Sequence, residues 1–174
     1  MSRAPQVVVI GDSRAPRPTL RTAETIGRSI AELGATLITG GRGGVMAAAS
    51  RGARRAGGCV VGIVPSTSMG EGNPWCSVVI PTGLGHARNA LTALAGDVVI
   101  AIGGGAGTLS ELAFAWMHGR PIIVVEGSGG WADALARRGI DARRSSTITA
   151  VADAAACAAT LRRLLARRRV SSGA

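Results

Sequence analysis

The chain has 174 residues, 47% of them hydrophobic, and a formal charge of +10 in which every cationic side chain is arginine and lysine is absent. Without lysine there is no Schiff base for pyridoxal phosphate and no phosphate-loop lysine for a Walker-type ATPase. The apolar runs, such as 98–102, fall far short of the ~18 residues of a membrane helix, and the N-terminal run is too short for a signal-peptide core, so a cytoplasmic location without membrane contact is expected.

The first strand is expected at 6–10, followed by Gly11-Asp12-Ser13-Arg14 and a helix at 19–33. A second strand at 35–39 leads through Gly40-Gly41-Arg42-Gly43-Gly44 into a helix at 45–56. Strands at 59–64 and 78–80 come next, then Gly83-Leu84-Gly85-His86-Ala87-Arg88-Asn89 and a helix at 86–95. The fifth strand, 97–102, runs into Gly103-Gly104-Gly105-Ala106-Gly107-Thr108 and a helix at 108–118. Strands at 121–125 and 147–150 alternate with helices at 131–138 and 151–169. Several strands are continuous apolar runs, which implies burial on both faces. The expected fold is therefore α/β: a three-layer, doubly wound, Rossmann-like parallel sheet of about seven strands with helices on both faces. One domain is expected over 1–170, with a frayed tail at 171–174.

Cys59, Cys76 and Cys157 are odd in number and lack a CxxC, and His86 and His118 lack ligand spacing. Reduced thiols and no metal site are expected, with His118 closing its helix. Five arginines, Arg162, Arg163, Arg167, Arg168 and Arg169, carry half the net charge. They are expected to be a solvated helix end that complements the dipole, with Thr149 as cap and Val151, Ala155, Ala158, Leu161 and Leu165 as the buried stripe. With no tyrosine and one phenylalanine, stacking platforms are scarce, so nucleic acid is not an expected partner.

Ligands in such sheets bind beyond the carboxyl ends of the strands, where the glycine loops fall. Glycine admits close backbone approach, and the helix start behind each loop offers free amides and a positive dipole end. A phosphate-bearing ligand is thus expected at Gly11 and Ser13, at Gly40, Gly41, Arg42 and Gly43, and at Gly104, Gly105, Gly107 and Thr108. The NAD fingerprint is not met, since no glycine-rich turn follows the first strand and no acidic residue ends the second. Glu111 has two open readings: a lone carboxylate beside the anion cradle, or the partner of Thr108 in a capping box. Arg88 either binds phosphate or sugar or is a surface charge of its helix.

The segments 40–46, 83–89 and 103–111, in that order, resemble the LONELY GUY (LOG) superfamily, in the branch that includes molybdenum-cofactor carrier proteins and is distantly related to the DNA-processing protein DprA. The resemblance covers about 6–125. It implies that Gly104, Gly105, Gly107, Thr108 and Glu111 match the PGGxGTxxE signature and that Arg88 and Glu111 stand at the catalytic positions. Gly103 replaces the signature proline, and Asn89 replaces a lysine; both departures favour the carrier-like branch. The first expectation is accordingly a binding protein for a phosphorylated, nucleotide-like ligand, with molybdenum cofactor as a candidate cargo and no cofactor required. The alternative is a nucleoside 5′-monophosphate phosphoribohydrolase that releases free base and ribose 5-phosphate, an N-glycosidic hydrolase and not a lysine decarboxylase. DprA-like nucleic-acid binding comes third. A homodimer or higher homo-oligomer is expected because LOG-type sites lie beside a subunit interface.

Overall fold

The computed structural model describes residues 3–142 and 147–171. The apolar runs form β1 (Gln6–Gly11), β2 (Thr36–Thr39), β3 (Val60–Val64), β4 (Val78–Pro81), β5 (Val98–Ile102), β6 (Ile122–Val125) and β7 (Ile148–Val151), each bound within one residue of its expected place. They make one seven-stranded sheet in the order β4-β3-β2-β1-β5-β6-β7, with every pairing parallel. Helices α1 (Arg17–Glu32), α2 (Val45–Arg55) and α6 (Ala154–Ser171) cover one face, and α3 (Asn89–Leu94), α4 (Ala106–Met117) and α5 (Gly130–Ala134) cover the other. The fold is the expected Rossmann-like α/β sandwich.

Burial explains the unbroken apolar runs. In β1, Val7 and Val9 face the α1, α2 and α6 layer, while Val8 and Ile10 face the opposite one. Neither side of the strand can be polar, so alternation disappears. The α1 stripe of Ala23, Ile26, Gly27 and Ile30 seats that helix. Gly27 and Gly52 let α1 and α2 touch backbone to backbone, since a side chain at either would strike the main chain at Ala49 or Glu24.

The chain runs outward from β1 to β4 and then returns to place β5 on the other side of β1. Strand order therefore reverses between β1 and β5, whose ends Gly11 and Ile102 lie in register. A crevice opens where connections diverge in this way. Among the described residues no helix is long and apolar enough to cross a membrane.

Two expectations at helix starts need correction. The helix expected at 86–95 is a 3-10 turn at Gly85–Arg88 followed by the shorter α3. Thr149 does not cap α6, because β7 continues to Val151 and holds Thr149 within the sheet. Asp153 takes the role, its Oδ1 accepting from Ala156 N at 2.8 Å, which suits the strong preference for a short side-chain oxygen at this position. The buried stripe shifts with it: Cys157, Leu161 and Leu165 are buried, whereas Ala155 is exposed. α6 extends through Ser171, and 172–174 lie outside the described residues.

Candidate functional site

At the reversal point Asp12 joins both glycine loops. Its carbonyl accepts from Val45 N at 2.9 Å, at the start of α2, and its Oδ2 accepts from Gly104 N at 2.8 Å. The loop after β2 is pinned from the far side by Asn73, whose amide donates to Gly41 O at 2.7 Å and whose side chain donates to Arg42 O at 3.2 Å. The loop after β5 is anchored by Ser128, which accepts from Gly103 N at 2.8 Å.

α4 begins at Ala106, with Gly105 as its cap residue and no side chain closing the end. Leu109 N bonds back to Gly105 O at 3.0 Å, and helix geometry leaves the amides of Ala106, Gly107 and Thr108 without an acceptor on their own helix. This corrects the capping-box reading. Thr108 is the third residue of α4 and not its cap, so Glu111 lies nearly two turns in and closes nothing.

Glu111 turns instead toward Arg88. Arg88 Nη1 donates to Glu111 Oε1 at 3.2 Å and to Asn89 Oδ1 at 2.7 Å, and Nη2 donates to Gly40 O at 3.3 Å. Both side chains are more than nine-tenths buried. Arg88 is thus no surface charge, and Gly40 is bare because a Cβ there would sit 2.7 Å from Arg88 Nη2. Asn89 braces the pair, donating from Nδ2 to Ser110 Oγ at 2.8 Å across to α4. Burial pushes the Glu111 carboxyl up to about 7 although Arg88 pulls against it. Burial also lowers Arg88 from its ordinary value; Glu111 opposes the shift and nearby Arg42 adds to it.

These groups border a cleft of about 410 Å³, within the range of small-molecule sites. Of the residues expected from sequence, Gly11, Ser13, Arg42, Arg88, Gly105, Gly107, Thr108 and Glu111 line it. Gly40, Gly41, Gly43 and Gly104 do not line it: the first two and Gly104 are buried, Gly41 against Val64 and Gly104 against Thr108, while Gly43 is exposed near Ser13 O. Asp12, Met46, Pro65, His86 and Asn89 also line the cleft and were not expected there. Asp12 stood in the segment after the first strand, and Asn89 was noticed only as a departure from the resemblance. Met46 ends the first of the resembling segments but carried no assigned role, and nothing local marks Pro65.

The sequence matches the SLOG cluster4 family over residues 4–160, most of the chain. The chain belongs to the SLOG cluster4 family. An uncharacterized protein of Archaeoglobus fulgidus is 41% identical to this SLOG chain over 70% of its length and 84% of the archaeal protein. A rice protein (Oryza sativa subsp. japonica) named as a probable cytokinin riboside 5′-monophosphate phosphoribohydrolase is 31% identical over 70% of this chain but only 58% of its own length. Among solved structures, the molybdenum cofactor binding protein of Rippkaea orientalis superposes with a TM-score of 0.84 at 33% identity, covering 95% of this chain and 99% of the other. The molybdenum cofactor carrier protein of Chlamydomonas reinhardtii gives 0.83 at 35% identity, covering 94% and 99%. DNA processing protein A of Helicobacter pylori shares the fold, with a TM-score of 0.69 at 18% identity, covering 90% of this chain and 80% of that one.

Proposed function

We propose that this SLOG protein binds a phosphorylated, nucleotide-like small molecule and carries it without cleaving it, with molybdenum cofactor as the leading cargo. The observation that carries this reading is the open start of α4, where Gly105 and Gly107 border the cleft and no side chain caps the helix. Free amides and a dipole end at that point suit a phosphate. Arg42, exposed on the facing loop, adds a cation, while Met46 and Pro65 provide an apolar wall for a heterocycle. Arg88 uses both terminal nitrogens on protein acceptors, so it shapes the wall as well as charging it. The two molybdenum-cofactor proteins that cover nearly the whole chain support this choice of cargo.

A second reading, glycosidic cleavage of a nucleoside 5′-monophosphate, draws support from Glu111. A buried carboxyl titrating near neutrality beside an arginine is suited to general acid or base work. Calorimetry with AMP and with molybdenum cofactor, alongside chromatography for free adenine, separates the two. Gly105 has extended backbone and open space around it, so Gly105→Val should fold normally and block approach to the amides. Binding to wild type weakened at least tenfold in the variant supports the cradle; failure of both ligands, or equal binding by the variant, rejects it. Adenine release by wild type selects the enzyme.

We also infer a homodimer formed across α3 and α4. Leu91 and Met117 are 46% and 43% exposed there, and the one charged residue of these two helices, Glu111, is buried. Apolar surface of this kind marks interfaces. Light scattering should give a dimer that Leu91→Glu dissociates, and a monomeric wild type would reject the interface.

A further inference from the structure

We propose that the layer formed by α2, α1 and α6 grips the phosphate backbone of duplex nucleic acid without regard to sequence. The fold brings together charge that the sequence holds far apart, and this reverses, for a duplex, the expectation that the α6 arginines are only a solvated helix end and that nucleic acid is no partner. Within their own bounds α1, α2 and α6 contain three, three and five arginines and two acids, Glu24 and Glu32, a net +9 by sequence against +10 for the whole chain. The opposite layer has no arginine at all in α3, α4 and α5, and carries Glu111 and Asp133. A chain needing charge only for solubility can intersperse both signs, whereas one-sided charge repels itself and is a device for attracting a polyanion.

The side chains are arranged for contact. Arg17, Arg21 and Arg28 are exposed and, at helical spacing, fall within about 40° of one another around α1, in a row of about 16 Å. Arg54 on α2 and Arg162 and Arg163 on α6 are exposed as well. Among the described residues none of these six makes an ion pair; Glu24 pairs with Arg51 and Arg55, and Arg28 acts on it only from farther off. α1 lies between its two neighbours, so the row is flanked by cations on both sides.

The chemistry of this face favours nucleic acid over a bilayer. Among the described residues the large exposed apolar side chains are Met69, Val78, Ile80, Leu84, Leu91, Met117 and Trp131, none of them on these three helices. A helix that lies on a membrane inserts an apolar face, and the described side chains of this layer offer none. A duplex asks only for cations, since it presents about one phosphate charge per 1.7 Å. Single strands are disfavoured because they need exposed rings for stacking, and the ring beside α2, Trp75, is covered by the Arg55 guanidinium at 5.7 Å.

Fluorescence anisotropy tests this with two short duplexes of unrelated sequence, a single strand, and phosphatidylserine vesicles. Wild type should bind both duplexes alike, with Kd on the order of 1–10 µM at about 150 mM salt. Arg17→Gln/Arg21→Gln/Arg28→Gln should bind at least tenfold more weakly, with a salt slope shallower by about 2.7, three phosphates at about 0.9 each. A second set, Arg54→Gln/Arg162→Gln/Arg163→Gln, repeats the test on α2 and α6. Arg137→Gln/Arg138→Gln, outside this layer, should bind as wild type. The proposal falls if wild type ignores duplexes at that salt, if the control pair weakens binding as much as the two sets, or if vesicles or the single strand bind more tightly than the duplexes.

Discussion

The loops after β2 and β5 have nearly the same composition, Gly-Gly-Arg-Gly-Gly at 40–44 and Gly-Gly-Gly-Ala-Gly at 103–107, and both feed a helix at the edge of the cleft. Their glycines answer to different neighbours. In the first loop Gly40 gives way to the Arg88 guanidinium, Gly41 to Val64, and Gly44 to the main chain at Asp12 and Ser13. In the second, Gly103 and Gly104 meet protein at Asp12, Ser128 and Thr108, but a Cβ on Gly105 would meet nothing within 4 Å and one on Gly107 only Asn89 Nδ2 at 3.9 Å. A glycine can be required because protein comes close or because a ligand must. The first loop is mainly a packing device that holds Arg88 and α2 in place, and the second keeps two positions open on the cleft.

Stability measurements sharpen that contrast, and the largest effect is expected in the first loop. Gly44 has φ of 61°, and an added Cβ would lie 2.6 Å from Ser13 O, so neither the backbone conformation nor the space admits alanine. Gly44→Ala should cost roughly 3 kcal/mol, lowering Tm by roughly 6–12 °C. Gly105→Ala should stay within about 0.5 kcal/mol of wild type. Calorimetric melts of both variants decide the matter. Equal losses at the two positions would mean that the loops do not differ as described.

The seven strands were legible because each is an apolar run confined by burial to a narrow set of residues, and the parallel sheet followed from their alternation with helices. The glycine loops were legible by composition, though their division of labour was not, since the neighbours of Gly40 and Gly44 come from remote segments. The Thr108–Glu111 pattern shows the limit of local reading. It fits a capping box, yet α4 starts two residues earlier, and the group that occupies Glu111 lies 23 positions upstream in the sequence. Arg88 and Glu111 each had a functional reading from the residues themselves, but only the family resemblance set them at paired positions, because nothing local shows that they meet. Asp12 was missed for the same reason: its carboxylate closes on Gly104 N, 92 residues away, across a strand reversal that no local pattern displays.

A subtler effect belongs to Glu111, the side chain that ties the second loop's helix to the residue held by the first. Folding raises its carboxyl from the ordinary 4.5 to about 7, burial being the main cause. Between those values the folded protein holds a proton that the unfolded chain has released, so stability falls as pH rises through this window and levels off above it. The loss from about pH 5 to 7 is on the order of 2 kcal/mol. Glu111→Gln resembles the protonated side chain at every pH. It should therefore melt with wild type near pH 5, lack this part of the decline, and melt a few degrees higher near pH 8. A variant that melts lower at the alkaline end would show that the ionised pair with Arg88 holds the fold together and outweighs the effect of burial. The same protein separates the functional readings, because a carrier should bind its phosphorylated ligand equally or more tightly once a negative charge has left the cleft. An enzyme should instead lose base release from AMP while its melting near pH 5 is unchanged.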